Sequence, residues 1–174
     1  HSVYISGMLY RGLEEKNLAL IRSNTGLSYA FYDEGAFRNI NGNVDMRYAP
    51  EAIGLVNSGL SLKDKINDSL SIGRYYGALE DRTIRVVYNE KVLHPFQPYS
   101  PEATKNQLNF FNKVFSLKTG LNSKNQVWHW KELFTFVSLI YSMLMIVPLT
   151  KLFLRTKVFR TIKKPMADAL PKPS

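Results

Sequence analysis

Cysteine is absent from this 174-residue chain. That excludes a disulfide framework, a thiol nucleophile and any Cys-ligated zinc or iron–sulfur centre, while leaving the redox compartment open. No G-X-Y period and no repeat at a fixed spacing occurs, so collagen-like and solenoid architectures fall away. A phosphate-binding glycine loop is also missing, and no G-x-G-x-x-G follows a strand. The three histidines, His1, His94 and His129, do not form a metal-ligand spacing, so neither a metal nor a cofactor is expected. His129, between two tryptophans, reads as interfacial.

With 45% apolar residues the chain has enough hydrophobic material for a packed core, which disfavours wholesale disorder. Its net charge of +9 would suggest a nucleic-acid partner if it were spread over a folded face. It is concentrated instead. From Lys151 onward, seven basic side chains (Lys151, Arg155, Lys157, Arg160, Lys163, Lys164 and Lys172) stand against the single Asp168, whereas the first 150 residues hold 16 basic and 13 acidic. The basicity belongs to a tail, and no nucleic-acid partner is expected.

Immediately before that tail, Leu133 to Thr150 reads LFTFVSLIYSMLMIVPLT, 18 residues without a charge. As a helix this run is roughly 27 Å long, close to the roughly 30 Å hydrocarbon thickness of a bilayer. A buried core helix would show a polar stripe or stop sooner, and here apolar residues cover every face. Pro148 near its end is compatible with a membrane span. Trp128 and Trp130 precede the run as headgroup-level aromatics, and basic residues follow it. The positive-inside rule then places the C-terminal tail in the cytoplasm and the soluble domain outside, with a single span through the cell membrane. An exported domain needs an export signal, and HSVYISGMLY carries no basic n-region, so the signal is expected elsewhere.

The remainder alternates between strand and helix patterns. Ser2 to Leu9, Gly26 to Tyr32 and Thr83 to Tyr88 read as strands. Leu13 to Arg22, Pro50 to Asn57 and Leu62 to Tyr75 have helical spacing. A proline-rich loop, Leu93 to Pro101, leads to a helix from about Pro101 to Phe115, with Ser100 as N-cap, Pro101 in the first turn and Glu102 near the positive helix end. The expected class is α/β, with about three strands and flanking helices followed by one transmembrane helix. The expected organisation is a partial α/β domain over 1–127, an interfacial segment and span over 128–154, and a basic tail over 155–174. So few parallel strands read as the second half of a larger sheet.

Asp33 (in FYDEGAF) and His94 (in VLHPFQPYS) each stand directly after a strand, at the edge where α/β sheets bind ligands. A carboxylate there can hold an imidazole in the tautomer needed for general-base work. On spacing alone, an aspartate starting a turn and a histidine capping a loop remain an open alternative. Tyr75-Tyr76 and the aromatics of Phe96 to Tyr99 fit either a substrate cleft or a core.

The segments FYDEGAF, VLHPFQPYSPEATKNQLNFF and NSKNQVWHWKELF, in that order and ahead of a membrane span, resemble the C-terminal part of bacterial membrane-anchored α/β-hydrolase family proteins. The resemblance covers most of residues 26 to 155 and rests on the order of the segments together with Asn125 to Lys131. It implies that Asp33 matches the triad acid and His94 the triad base. One part of the pattern is missing, since no G-x-S-x-G nucleophile elbow occurs. Ser28 in GLSYA lies inside a strand-like run, and Ser2 is followed by Tyr4 where a small residue belongs. The nucleophile is therefore expected in a missing N-terminal half of the same protein, leaving this chain inactive alone. The function that follows is that of a C-terminal fragment of a membrane-tethered serine hydrolase for a small-molecule ester or peptide-type substrate, partnered by the lipid bilayer. The alternative is a non-catalytic, membrane-anchored binding or assembly domain.

Overall fold

The computed structural model describes residues 1–7, 15–33 and 44–162. Met8 and Leu9 of the first expected strand, the start of the helix expected from Leu13, the Glu34-Gly35 turn and the tail beyond Ile162 lie outside the described residues. The chain divides into two units, His1–Asn125 and Gln126–Ser174.

Three strands make up the sheet of the first unit: β1 (Ser2–Ser6), β2 (Asn24–Ala30) and β3 (Arg85–Glu90). They lie in the order β1-β2-β3, all parallel, with Tyr4 opposite Gly26 and Gly26 opposite Val86. β2 is buried along its whole length, as expected for a central strand covered on both faces. The far edge of β3 is closed by a bridge to Tyr76, with Arg85 N donating to Tyr76 O at 2.8 Å and Tyr76 N donating back at 2.9 Å. β1 differs. Among the described residues no strand pairs with its outer edge, and Val3 is 45% exposed.

Side chains alternate across the sheet. Leu27, Tyr29 and Val87 join one apolar cluster with Met46 and the helix α2 (Pro50–Asn57), which buries Ala52, Leu55 and Val56. Val86, Tyr88 and Ile84 join the other, beneath Phe110 and Val114 of α3 (Pro101–Val114). On that second face Gly26 is a steric necessity, because a Cβ there would come within 2.5 Å of the Tyr4 ring. The missing carbon lets Tyr4 lie flat over the central strand and meet Phe110, 5.4 Å between ring centroids. The α3 start is the one read from sequence, with Ser100 Oγ accepting from Ala103 N and Pro101 and Glu102 in the first turn.

The helix expected from Leu13 to Arg22 shrinks, among described residues, to one turn, α1 (Glu15–Leu18). The helix expected over Leu62 to Tyr75 does not form, and the segment runs through successive turns. Its backbone is held by partners distant in sequence. Asn57 accepts from Ile66 N and donates to Ile66 O, both at 2.8 Å, and Leu70 N donates to Arg47 O. These bonds draw Ile66 and Leu70 into the α2-side cluster while leaving Leu62 exposed. Asn67, Asp68, Ser69 and Ser71, whose side chains compete for backbone groups, offer little resistance.

The second unit contains α4 (Trp128–Phe153), 26 residues and about 39 Å long, with no buried residue. It is long and apolar enough to cross a membrane. Three hydroxyls within it donate to carbonyls four residues back, Thr135 to Lys131, Ser142 to Ser138 and Thr150 to Ile146, which satisfies them without water. The helix runs through Pro148.

Candidate active site

The loops that leave β2 and β3 do not separate at once. Phe31 N donates to Glu90 O at 2.7 Å, and Tyr32 N donates to Val92 O at 3.2 Å, so the ladder runs on past the ends of both strands. One residue beyond Tyr32 stands Asp33, and two beyond Val92 stands His94. Their side chains meet, with His94 Nδ1 2.6 Å from Asp33 Oδ2. The pair arises because two parallel strands end in register and their exit loops stay bonded.

Burial is uneven across the pair, the Asp33 side chain being 7% exposed and the His94 side chain 45%. The buried carboxylate fixes the proton on Nδ1, and Nε2 is left as the acceptor. Among the described residues Nε2 has no hydrogen-bond partner. An imidazole oriented from behind and open in front can take a proton from a hydroxyl brought to it.

β1 also contributes at this edge. Gly7, just past its end, donates its N–H to Ser28 O at 3.0 Å and has φ +72, a left-handed conformation that favours glycine. A Cβ at Gly7 would lie 2.9 Å from His94 Cε1. The imidazole therefore rests against bare backbone.

Beneath the pair lies a buried polar cluster that pattern reading missed. Glu90, the last residue of β3, is 3% exposed. Its carboxylate accepts from Ser28 Oγ at 2.8 Å, from Asn106 Nδ2 of α3 at 2.9 Å and from Gln97 Nε2 at 3.3 Å. Gln97 Nε2 also donates to Ser28 Oγ at 2.6 Å. Gln97 lies one turn after His94 on the 3-10 helix His94–Tyr99, so the cluster moors the histidine-bearing turn to β2, β3 and α3 together. Burial, followed by the nearby Glu90 charge, pushes the Tyr4 phenol above its ordinary value of 10.0.

Neither serine weighed as a nucleophile stands at the pair. Ser28 is fully buried inside β2 and committed to Glu90 and Gln97. Ser2 begins β1, at the opposite edge of the sheet from Gly7 and roughly 17 Å along the strand. The aromatic groups part company as well. Phe96 and Tyr99 are exposed on the histidine-bearing turn, whereas Tyr76 is buried and Tyr75 bonds Tyr88 at 3.0 Å in the core. An open cleft of about 520 Å³ beside α1 and α2, lined by Lys16, Asn57 and Lys65 among others, does not include Asp33 or His94. No family model, no curated protein and no solved structure matches the chain.

Proposed function

We propose that this chain is the C-terminal portion of a membrane-tethered serine hydrolase of α/β-hydrolase type, acting on an ester or peptide-type substrate. The observation that carries the reading is the buried Asp33 carboxylate set 2.6 Å behind a half-exposed His94 at the carboxyl edge of a parallel sheet. In this mechanism Asp33 holds the Nδ1–H tautomer. His94 Nε2 takes the proton of a serine hydroxyl as that oxygen attacks the substrate carbonyl, and then delivers it to the leaving group. A water activated in the same way releases the acyl group and restores the serine.

The serine would come from polypeptide outside these 174 residues, and the outer edge of β1, unpaired among the described residues, supports its arrival there. A further parallel strand pairing with that edge would lie about 4.8 Å from β1 and would end beside Gly7. Since a Cβ on Gly7 would already meet His94 Cε1, the turn after such a strand would come near the imidazole. The apolar α4 and the basic residues after it support a tether with the first unit outside the membrane and the tail in the cytoplasm.

In the complete natural protein, a fluorophosphonate probe should label one serine. His94→Ala should abolish labelling, and Asp33→Asn should slow it on the order of 10³-fold or more. Labelling that survives His94→Ala removes the histidine from the mechanism, and an unlabelled native protein leaves the non-catalytic binding or assembly domain as the reading.

A further inference from the structure

We propose that the carboxyl end of α4 and the segment that follows it form a docking surface for the headgroups of anionic phospholipids. This rests on the reading of α4 as a span and is independent of the hydrolase chemistry. Between Lys151 and Lys164 the chain carries six basic residues and no acidic one. Lys151, Arg155, Lys157 and Arg160 are exposed, and among the described residues none of them forms an ion pair. Cations held beside a bilayer surface without internal counter-charges are attracted to phosphodiester groups.

The apolar residues of the same segment determine which polyanion fits. Phe153, Val158, Phe159 and Ile162 are exposed and interleaved with the cations. The chain stays compact past the helix end, with Thr156 N donating to Phe153 O, Arg160 N to Thr156 O, Ile162 N to Phe159 O, and the Phe153 and Phe159 rings edge to face at 5.8 Å. Rings and cations alternating at the end of a span suit the boundary where acyl chains meet phosphates. Exposed rings also serve nucleic-acid surfaces, but the aliphatic Val158 and Ile162 offer no stacking face and match acyl chains instead. The other end of α4 differs, because there Trp128 and Trp130 accompany Lys131 and Glu132, whose charges balance and whose side chains approach to 3.9 Å. The helix therefore has one neutral aromatic end and one cationic aromatic end.

The test uses the full chain in a neutral detergent, mixed with equimolar phosphatidylglycerol and phosphatidylcholine, with retained lipids counted by native mass spectrometry. Phosphatidylglycerol should be retained at least about fivefold over phosphatidylcholine, the factor one basic side chain at a membrane surface supplies. The quadruple variant Lys151→Gln, Arg155→Gln, Lys157→Gln, Arg160→Gln should bring the ratio near unity, and the pair Lys157→Gln, Arg160→Gln should lower it partway with α4 helicity intact. A control, Lys63→Gln, Lys118→Gln, Lys124→Gln, should leave it unchanged. Equal retention by the native chain, a ratio unmoved in the quadruple variant, or tighter binding of a single-stranded RNA than of phosphatidylglycerol overturns the proposal. Alkaline carbonate extraction separates the two failures: release from vesicles defeats the span and this surface together, whereas a chain that stays embedded without lipid preference defeats this surface alone.

Discussion

The two ends of the small sheet use polar side chains in opposite ways. At the amino end, Arg85 is fully buried, and its guanidinium donates to Ser58 Oγ at 3.0 Å, Ser23 O at 2.8 Å and Ile84 O at 2.9 Å, with longer contacts to Ile21 O and Arg82 O. One rigid fork ties two loops and the end of α2, and it faces inward throughout. At the carboxyl end the His94 imidazole is held from one side and open on the other. A polar side chain bonded on every side stabilises; one that is oriented and left partly unsatisfied is available for chemistry.

The sharpest way to break this contrast is at the saturated end. Arg85→Met should destabilise the fold by about 3 kcal/mol or more, because several buried carbonyls lose their donor at once, and Arg85→Lys should recover only part of it. Thermal unfolding of the full chain measures both, and a loss under about 1 kcal/mol would mean that water replaces the guanidinium.

Gly7→Ala tests the open end. The left-handed backbone costs an alanine about 1–2 kcal/mol, and the new methyl group displaces the imidazole from its rest. Stability should fall modestly, while the low-field Nδ1–H resonance of His94 should shift or vanish. An unchanged resonance would show that the ring is not seated on Gly7.

Alkaline titration gives the gentlest distinction. Burial first, then the Glu90 charge for Tyr4 and the Tyr75 bond for Tyr88, raises these phenols above 10.0, and burial raises Tyr75 as well. The folded state then holds its phenol protons where the unfolded chain releases them. The associated stability is complete below about pH 10 and declines as pH rises toward the folded values. The Arg85 guanidinium bonds to backbone carbonyls and Ser58 Oγ, so amide exchange should accelerate around Tyr4, Tyr88 and α3 before it does around Ser23 to Thr25. Uniform acceleration would mean that the two ends do not loosen separately.

Much of this arrangement is legible along the chain because it depends on local pattern. β-branched runs give strands, Ser100-Pro101-Glu102 gives a helix start, and an uninterrupted apolar stretch gives α4. Asp33 and His94 stand out because each follows a strand directly. Strand limits shift by two residues, β2 toward the amino end to Asn24–Ala30 and β3 toward the carboxyl end to Arg85–Glu90, because the register between neighbouring strands, and not the apolar run alone, sets where pairing begins and ends. Arg85 and Glu90 are invisible as buried groups, since charged residues in an alternating run normally face water. Their partners lie 27 to 64 residues away for Ser58, Ser23 and Ile21, and 62 for Ser28. The helix wrongly expected over Leu62 to Tyr75 fails for the same reason, as bonds to Asn57 and Arg47 outweigh a local periodicity.

The notch at Gly26 acts as an index mark for the whole sheet. Sliding β1 by one position would turn the Tyr4 ring toward α2, and sliding it by two would drive the ring onto the side chain of Asn24 or Ser28. One omitted carbon atom thereby sets the alignment that delivers Gly7 beneath the imidazole, some distance from the place where the alignment is decided.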